Sequence, residues 1–223
     1  LVDSTIAQLN HDRSLKRNDI KLAVASLTIG SASCAMLLTH QDLSQTGNRL
    51  TAASALAHTT HHELCQGAHS NVIDGSSGML MRTDSERLMQ EGIAAGVETF
   101  LQLRKESGWL PEQMERTFCH QVGSAHRKLM LEALGLPPEN DFATLEWLGN
   151  TGSVALPITM ALGLERGFVQ PGQNVAMLGI GSGINCLMMT AHWQKTLPMP
   201  AVAAATTSFA RPVASAEPAL PLA

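Results

Sequence analysis

The chain has 223 residues, of which 44% are hydrophobic and 15% charged. That is enough apolar material for one sizeable core, and it excludes general disorder. A net charge of -4, 4% aromatics and no Tyr argue against a basic nucleic-acid surface or a base-stacking platform.

Cys34, Cys65, Cys119 and Cys186 form no CxxC pair. They read as free thiols of a reducing compartment. The apolar run 175–191 is broken by Gly179, Gly181, Gly183 and Asn185, so no membrane span is expected. Asp3, Asn10, His11, Asp12 and Arg13 argue against a signal peptide at the start. The expected location is the cytoplasm. Leu1 rather than Met opens the chain, as expected of a processed chain or a fragment.

Residues 20–29 (IKLAVASLTI) form an apolar, β-branched run ending at Gly30, which predicts a strand and a turn. Ala32, Cys34, Met36 and Leu38 alternate with small or polar residues and predict a second strand. Residues 49–60 predict a third. A loop rich in Gly, Ser and Asn spans 67–78. Ser85 is the expected N-cap of a helix whose apolar face carries Leu88, Ile93, Val97, Phe100, Leu101 and Leu103, with Gly108 past its end. A short strand follows at 114–121. Ser124 is the expected cap of a second helix, with Leu129, Met130 and Leu134 inward and Gly135 as its stop. Residues 142–148 predict another strand and 152–166 a third helix. Residues 174–180 and 184–193 predict two strands around Gly181-Ser182-Gly183. From Ser85 onward the order is α-β-α-β-α-β-β. Such alternation implies helices covering a mostly parallel sheet, with an antiparallel edge from the last two strands. Residues 195–223 hold five of the ten prolines and nine alanines, and read as a disordered tail or linker.

Three candidate sites fall at junctions. His120 (TFCHQVGSAH) lies at a strand end, and Asn150 (LEWLGNTGSVALP) lies at the next one. Gly181-Ser182-Gly183 forms the last turn. Sites in α/β sheets gather at the carboxyl ends of strands, so His120 and Asn150 are expected to converge. A neutral imidazole N–H and an Asn amide N–H are fixed donors suited to a thioester oxygen becoming an enolate. A Gly-rich turn lets backbone N–H groups reach a second oxyanion. Each also has a plain structural reading: a hydrogen-bonding His, an Asn turn, a hairpin.

Segment 109–193 resembles the C-terminal half of the thiolase superfamily, in its ketoacyl-ACP synthase III branch. His120-Gln121 looks like that branch's catalytic His-Gln motif. Gly149-Asn150-Thr151 followed by Pro157 looks like its GNT…P motif. Gly179-Ile180-Gly181-Ser182-Gly183 looks like its Gly-rich turn, which implies an oxyanion-hole N–H at Ser182. ASLTIGSASCAMLLTH resembles the strand-turn-strand closing the first half of the fold, in the wording of OleA-type enzymes. Those enzymes condense two long acyl-CoAs head to head. Val122-Gly123 replaces an Asn common after His-Gln in ketoacyl-ACP synthases, which suits a non-decarboxylating relative. Ser182 replaces the middle Gly of the turn.

The resemblance implies an α/β, thiolase-like fold. It comprises a C-terminal βαβαβαββ-type repeat plus the last strands of the N-terminal repeat, over residues 1–194. It implies a nucleophilic Cys, and a Glu base in OleA-type enzymes, both in the first half of the fold and expected outside this chain. Cys34 and Cys119 are read as structural thiols, Cys34 as buried within a strand. Expected partners are acyl-CoA or acyl-ACP, and the missing half or a homologous subunit. The complete protein is expected to be a homodimer, and this half alone poorly soluble. No cofactor is implied beyond the CoA or ACP thioester.

Two alternatives are a decarboxylating ketoacyl-ACP synthase III and a non-catalytic partner subunit lacking the Cys. A third is a zinc-binding module, from His58, His61, His62, Glu63, Cys65 and His69. Their spacing fits neither HExxH nor paired CxxC. We therefore read the cluster as a polar strand end and loop, and expect no metal.

Overall fold

A computed structural model describes residues 2–67 and 81–197. The expected Gly-rich loop beyond residue 67, His69, and the expected tail from 198 onward lie outside the described residues.

Two helices open the chain, α1 (Val2–His11) and α2 (Arg17–Ala23). A 3-10 turn, Val24–Thr28, continues α2. The strand expected at 20–29 is thus mostly helical. Arg17, Lys21, Leu22 and Ala23 are good helix formers, and the Lys16 N–H donates to Asp19 Oδ2 at 3.0 Å across the first turn. Only Ile29 keeps an extended pairing, a parallel bridge to Asn150. The strand expected at 32–38 is also absent. That segment is irregular and exposed, with Leu37 87% accessible, so Cys34 is an exposed thiol rather than a buried one. Alternation cannot make a strand without a partner strand to accept its hydrogen bonds.

The main sheet holds β1 (Arg49–Ala57), β4 (Arg116–Cys119), β5 (Asn174–Gly181) and β6 (Asn185–His192), in the order β1-β6-β5-β4. A small ribbon pairs β2 (Cys65–Gly67) with β3 (Met81–Thr83). β4 and β5 are parallel, while β5·β6 and β1·β6 are antiparallel. The sheet is therefore not mostly parallel, and β6 is an inner strand rather than the edge. The tight turn at 182–184 reverses β6 against β5. β1 then pairs along the whole free side of β6, from Arg49↔His192 to Ala57↔Asn185.

The other helices are α3 (Ser85–Ser107), α4 (Ser124–Leu134), α5 (Leu145–Leu148) and α6 (Ala155–Glu165). Segment 142–148 is thus a loop and one helical turn, not a strand. The N-cap of α3 is Asp84, one residue before the expected Ser85, and its carboxylate accepts from the Arg87 N–H. Gly123, not Ser124, precedes α4. Gly108 and Gly135 end α3 and α4 in the left-handed conformation, as expected.

Helices cover both faces of the sheet. On one, Phe100, Leu103, Met130, Leu131 and Leu134 pack on Ala176, Leu178 and Met188. On the other, Leu156 and Met160 of α6 join Phe118, Val175, Met177 and Ala191. β5 is buried on both sides, hence its continuous apolar run.

The buried face of α3 overlaps the expected one in part, with Ile93 and Val97 packed at its margin. It is a line of small residues, Gly92, Ala95, Gly96 and Thr99, running on to Phe100 and Leu103, while Leu101 is 56% exposed. Small side chains let α3 lie against β6 and α4. A Cβ on Gly96 would meet the Met130 methyl at 2.6 Å. No helix among the described residues is long and apolar enough to cross a membrane.

Two glycines give a contrast. A Cβ at Gly163 would sit 2.6 Å from the Phe118 ring, within the Phe118, Phe142 and Phe168 cluster. Three rings packed on one another have little room to give way, whereas the Met130 tip is free to move. Gly163→Ala should destabilise by about 1–3 kcal/mol. Gly96→Ala should be close to neutral, its strain offset by about 1 kcal/mol of helix propensity. Urea midpoints measure both, and equal midpoints would contradict this packing.

Candidate active site

β4 ends at Cys119, and the pairing with β5 runs one residue further. The His120 N–H donates to Leu178 O at 3.0 Å. The His120 imidazole is half-buried, and its pKa is pushed down to about 4. Burial is the main cause and the nearby His126 the second, because both penalise the imidazolium. His126 is itself buried and shifted downward by desolvation. His120 is therefore a neutral imidazole near pH 7, carrying one N–H.

The next residue, Gln121, is 2% exposed, and its side chain makes three hydrogen bonds. Nε2 donates to Cys119 O at 2.7 Å. Oε1 accepts the N–H groups of Thr144 and Leu145, each at 3.1 Å. Those N–H groups open α5, so Gln121 acts as its missing cap. Asp141 holds the same strand from the other side. Its Oδ1 accepts from the Cys119 N–H at 3.0 Å and from Thr117 Oγ1 at 3.1 Å. Arg127 Nε donates to its Oδ2.

α5 delivers Asn150. Gly149 ends the turn at φ 70°, and a Cβ there would meet Thr28 O at 2.6 Å. Facing it, a Cβ on Gly30 would overlap Leu148 O at 1.7 Å. Two glycines thus let two backbones touch. The Asn150 N–H donates to Thr28 O at 2.8 Å, and the Gly30 N–H donates to Asn150 O at 2.9 Å. Asn150 Oδ1 accepts from the Gly152 N–H at 3.0 Å. That bond occupies the amide oxygen and leaves Nδ2 as the group able to donate.

The Gly-rich turn follows β5. Ser182 is exposed, and its carbonyl accepts from Asn185 Nδ2 at 2.8 Å. Reciprocal bonds of 2.7 and 2.9 Å join His58 to Ile184 and pin the turn to the end of β1.

His120 and the Ser182 turn therefore lie at the same sheet end, beyond the carboxyl ends of the adjacent parallel strands β4 and β5. Asn150 follows α5, whose first N–H groups are bound by Gln121, the residue next to His120. Among the described residues, no hydrogen bond links the three directly.

The His cluster lies elsewhere. Residues 59–64 form a 3-10 turn rather than a strand. His58 faces Glu98 at 3.3 Å and His61 faces Glu91 at 3.4 Å, both along α3. No group of three ligating side chains among the described residues is placed to hold a metal. Cys119 and Cys186 are buried, and burial raises both thiols, so neither is a ready thiolate.

The Gln121 brace, the Gly30–Gly149 contact and the Asn185 bond were not read from the sequence. Gln121 offered a signal, because a polar side chain between a buried strand and a helix start needs partners. The other two need tertiary contacts to be seen.

The His120 shift is testable. The folded pKa lies below the ordinary 6.5, so the unfolded chain binds its proton at higher pH. Stability from this group is full above 6.5 and is lost as pH falls from 6.5 toward 4. The His120 ring, followed by NMR, should titrate near 4. A midpoint near 6.5 would contradict its burial.

Comparison with known proteins gives the fold a family. Residues 104–193 match the family described as 3-oxoacyl-[acyl-carrier-protein (ACP)] synthase III C terminal. Over 196 residues the chain is 39% identical to an acyl-CoA:acyl-CoA alkyltransferase of Shewanella oneidensis, spanning 86% of this chain and 56% of that protein. An acyl-CoA:acyl-CoA alkyltransferase of Xanthomonas campestris is 27% identical over 86% of this chain and 57% of its own length. The chain thus spans a little over half the length of these relatives. Among solved structures, Xanthomonas campestris OleA with bound lauric acid and lauroyl-CoA superposes with a TM-score of 0.76 at 26% identity. It covers 86% of this chain and 55% of that one. A 3-oxoacyl-ACP synthase III of Xanthomonas oryzae gives a TM-score of 0.72 at 25% identity, over 86% and 54%. Residues 104–193 thus match the C-terminal region of 3-oxoacyl-ACP synthase III, and the chain is similar in fold to the thiolase-like OleA and 3-oxoacyl-ACP synthase III structures.

Proposed function

We propose that this chain supplies the enolate-binding side of an acyltransferase that joins two long-chain acyl thioesters by Claisen condensation. The carrying observation is a desolvated, neutral His120 at the end of β4, tied through Gln121 to the turn that presents Asn150. Two neutral donors favour an enolate oxygen without holding a proton that would quench it. The two alkyltransferase relatives and the lauroyl-CoA-bound OleA support acyl-CoA as the carrier. No further cofactor is proposed, and the expected location is the cytoplasm.

A Cys thiolate outside this stretch holds the first acyl group as a thioester, its CoA having left. A base takes the α-proton of the second acyl-CoA, and the enolate oxygen lies between His120 and the Asn150 amide. The α-carbon bonds to the carbonyl carbon of the first acyl group. The resulting oxyanion is held by the Ser182 N–H and the nucleophile's own N–H. Collapse breaks the carbon–sulfur bond, returns the thiolate and leaves a 2-alkyl-3-oxoacyl-CoA. The first half of the fold, supplied within a longer chain or by a homologous subunit, would cover the exposed apolar residues Met36, Leu37, Leu38 and Leu43. A homodimer is proposed for the whole.

A second reading has one observation in its favour, the likeness to 3-oxoacyl-ACP synthase III. That reaction would release CO2 from malonyl-ACP. In the protein at its natural length, His120→Ala and Asn150→Ala should each cut condensation by about a hundredfold or more, as for a lost oxyanion donor. Near-normal turnover in either would remove that residue from the mechanism. Labelled CO2 released from malonyl-ACP, with no product from two acyl-CoAs, would select the second reading.

A further inference from the structure

We propose that Gln121 is a positioning residue that sets His120 and Asn150 in register with each other. This rests on the roles proposed for those two residues, and it adds one that the reaction itself does not name. Three observations carry it. Gln121 is buried, and all of its recorded side-chain bonds go to backbone rather than outward. One of them grips the carbonyl of Cys119, whose peptide leads directly into His120. The other two grip the first N–H groups of the turn that ends at Gly149-Asn150. One planar amide therefore links the strand carrying one donor to the turn carrying the other. The far end of that turn is already clamped by Thr28 and Gly30, so Gln121 fixes its near end.

A water filling the same space would satisfy some of these groups but would not fix their spacing. Misplacing a donor by about 1 Å can cost about a hundredfold in rate. The amide is also the right chemical type, since it must donate on one side and accept twice on the other. A carboxylate accepts only, and an aliphatic side chain does neither.

The test uses the protein at its natural length and two half-reactions. Transfer of the first acyl group to the nucleophile, read as CoA release, needs no enolate. Condensation with the second acyl-CoA does. Gln121→Leu should lower condensation by about tenfold to a hundredfold and leave acyl transfer unchanged. Added to Asn150→Ala, it should cause less than its full separate loss, because one of the two donors it sets is already gone. Equal falls in both half-reactions, or losses that multiply in the double variant, would overturn the proposal. Unchanged condensation in Asn150→Ala alone would instead overturn the assignment beneath it.

Gln121→Glu guards against a leucine that misfolds. A buried Glu is raised in pKa and, once protonated, regains a donor for Cys119 O. Its condensation rate relative to the unaltered protein should rise as pH falls. A flat ratio, with activity no better than Gln121→Leu, would overturn the proposal.

Discussion

Where β4 leaves the sheet, its backbone stays buried, and every N–H and C=O there needs a partner other than water. The rest of the site follows from how that demand is met. The Cys119 N–H goes to Asp141 and the Cys119 carbonyl to Gln121. The His120 N–H goes to β5. With the strand end held on these sides, the segment 119–121 has little freedom. Asp141 can serve only because Arg127 and Thr117 compensate its charge, against the upward push of burial on its carboxyl. An unpaired carboxylate there would cost far more than it holds.

Burial then sets the chemistry. Water kept from His120 removes the stabilisation of an imidazolium, and His126 adds to the penalty. A neutral ring can only donate one N–H or accept, which suits the donor role proposed for it. Asn150 matches it. Its carbonyl oxygen is occupied by Gly152, which leaves its NH2 group for an outside acceptor. The turn at Ser182 adds backbone donors at the same sheet end, with its outer carbonyl tied back by Asn185. A site of fixed neutral donors suits an anion that exists only briefly.

Much of this was legible in the sequence, for identifiable reasons. The β5–β6 pair was readable because both strands are long and apolar, and because the glycines between them permit a tight turn. α3, α4 and α6 were readable from periodicity and stop signals. His120 follows a strand and Ser182 lies in the last turn, as expected, whereas Asn150 follows the helical turn α5 rather than a strand. Segment 20–29 misled because its β-branched residues mimic a buried strand, while most of the run is helical and only Ala23 and Ser26 are fully buried. Segment 142–148 misled because its N-terminal cap is Gln121, more than twenty residues upstream. The expected face of α3 held at Phe100 and Leu103, but its Gly92 and Gly96 contacts were missed because glycines carry no hydropathy signal.

The central claim is that His120 and Asn150 together hold the oxygen of the second thioester. A crystal structure of the protein at its natural length, with a stable acyl-thioester analogue bound, tests it most directly. The account predicts the analogue's carbonyl oxygen within about 2.7–3.2 Å of both a His120 ring nitrogen and Asn150 Nδ2. An oxygen bound elsewhere, with His120 and Asn150 making no contact to it, would contradict the account.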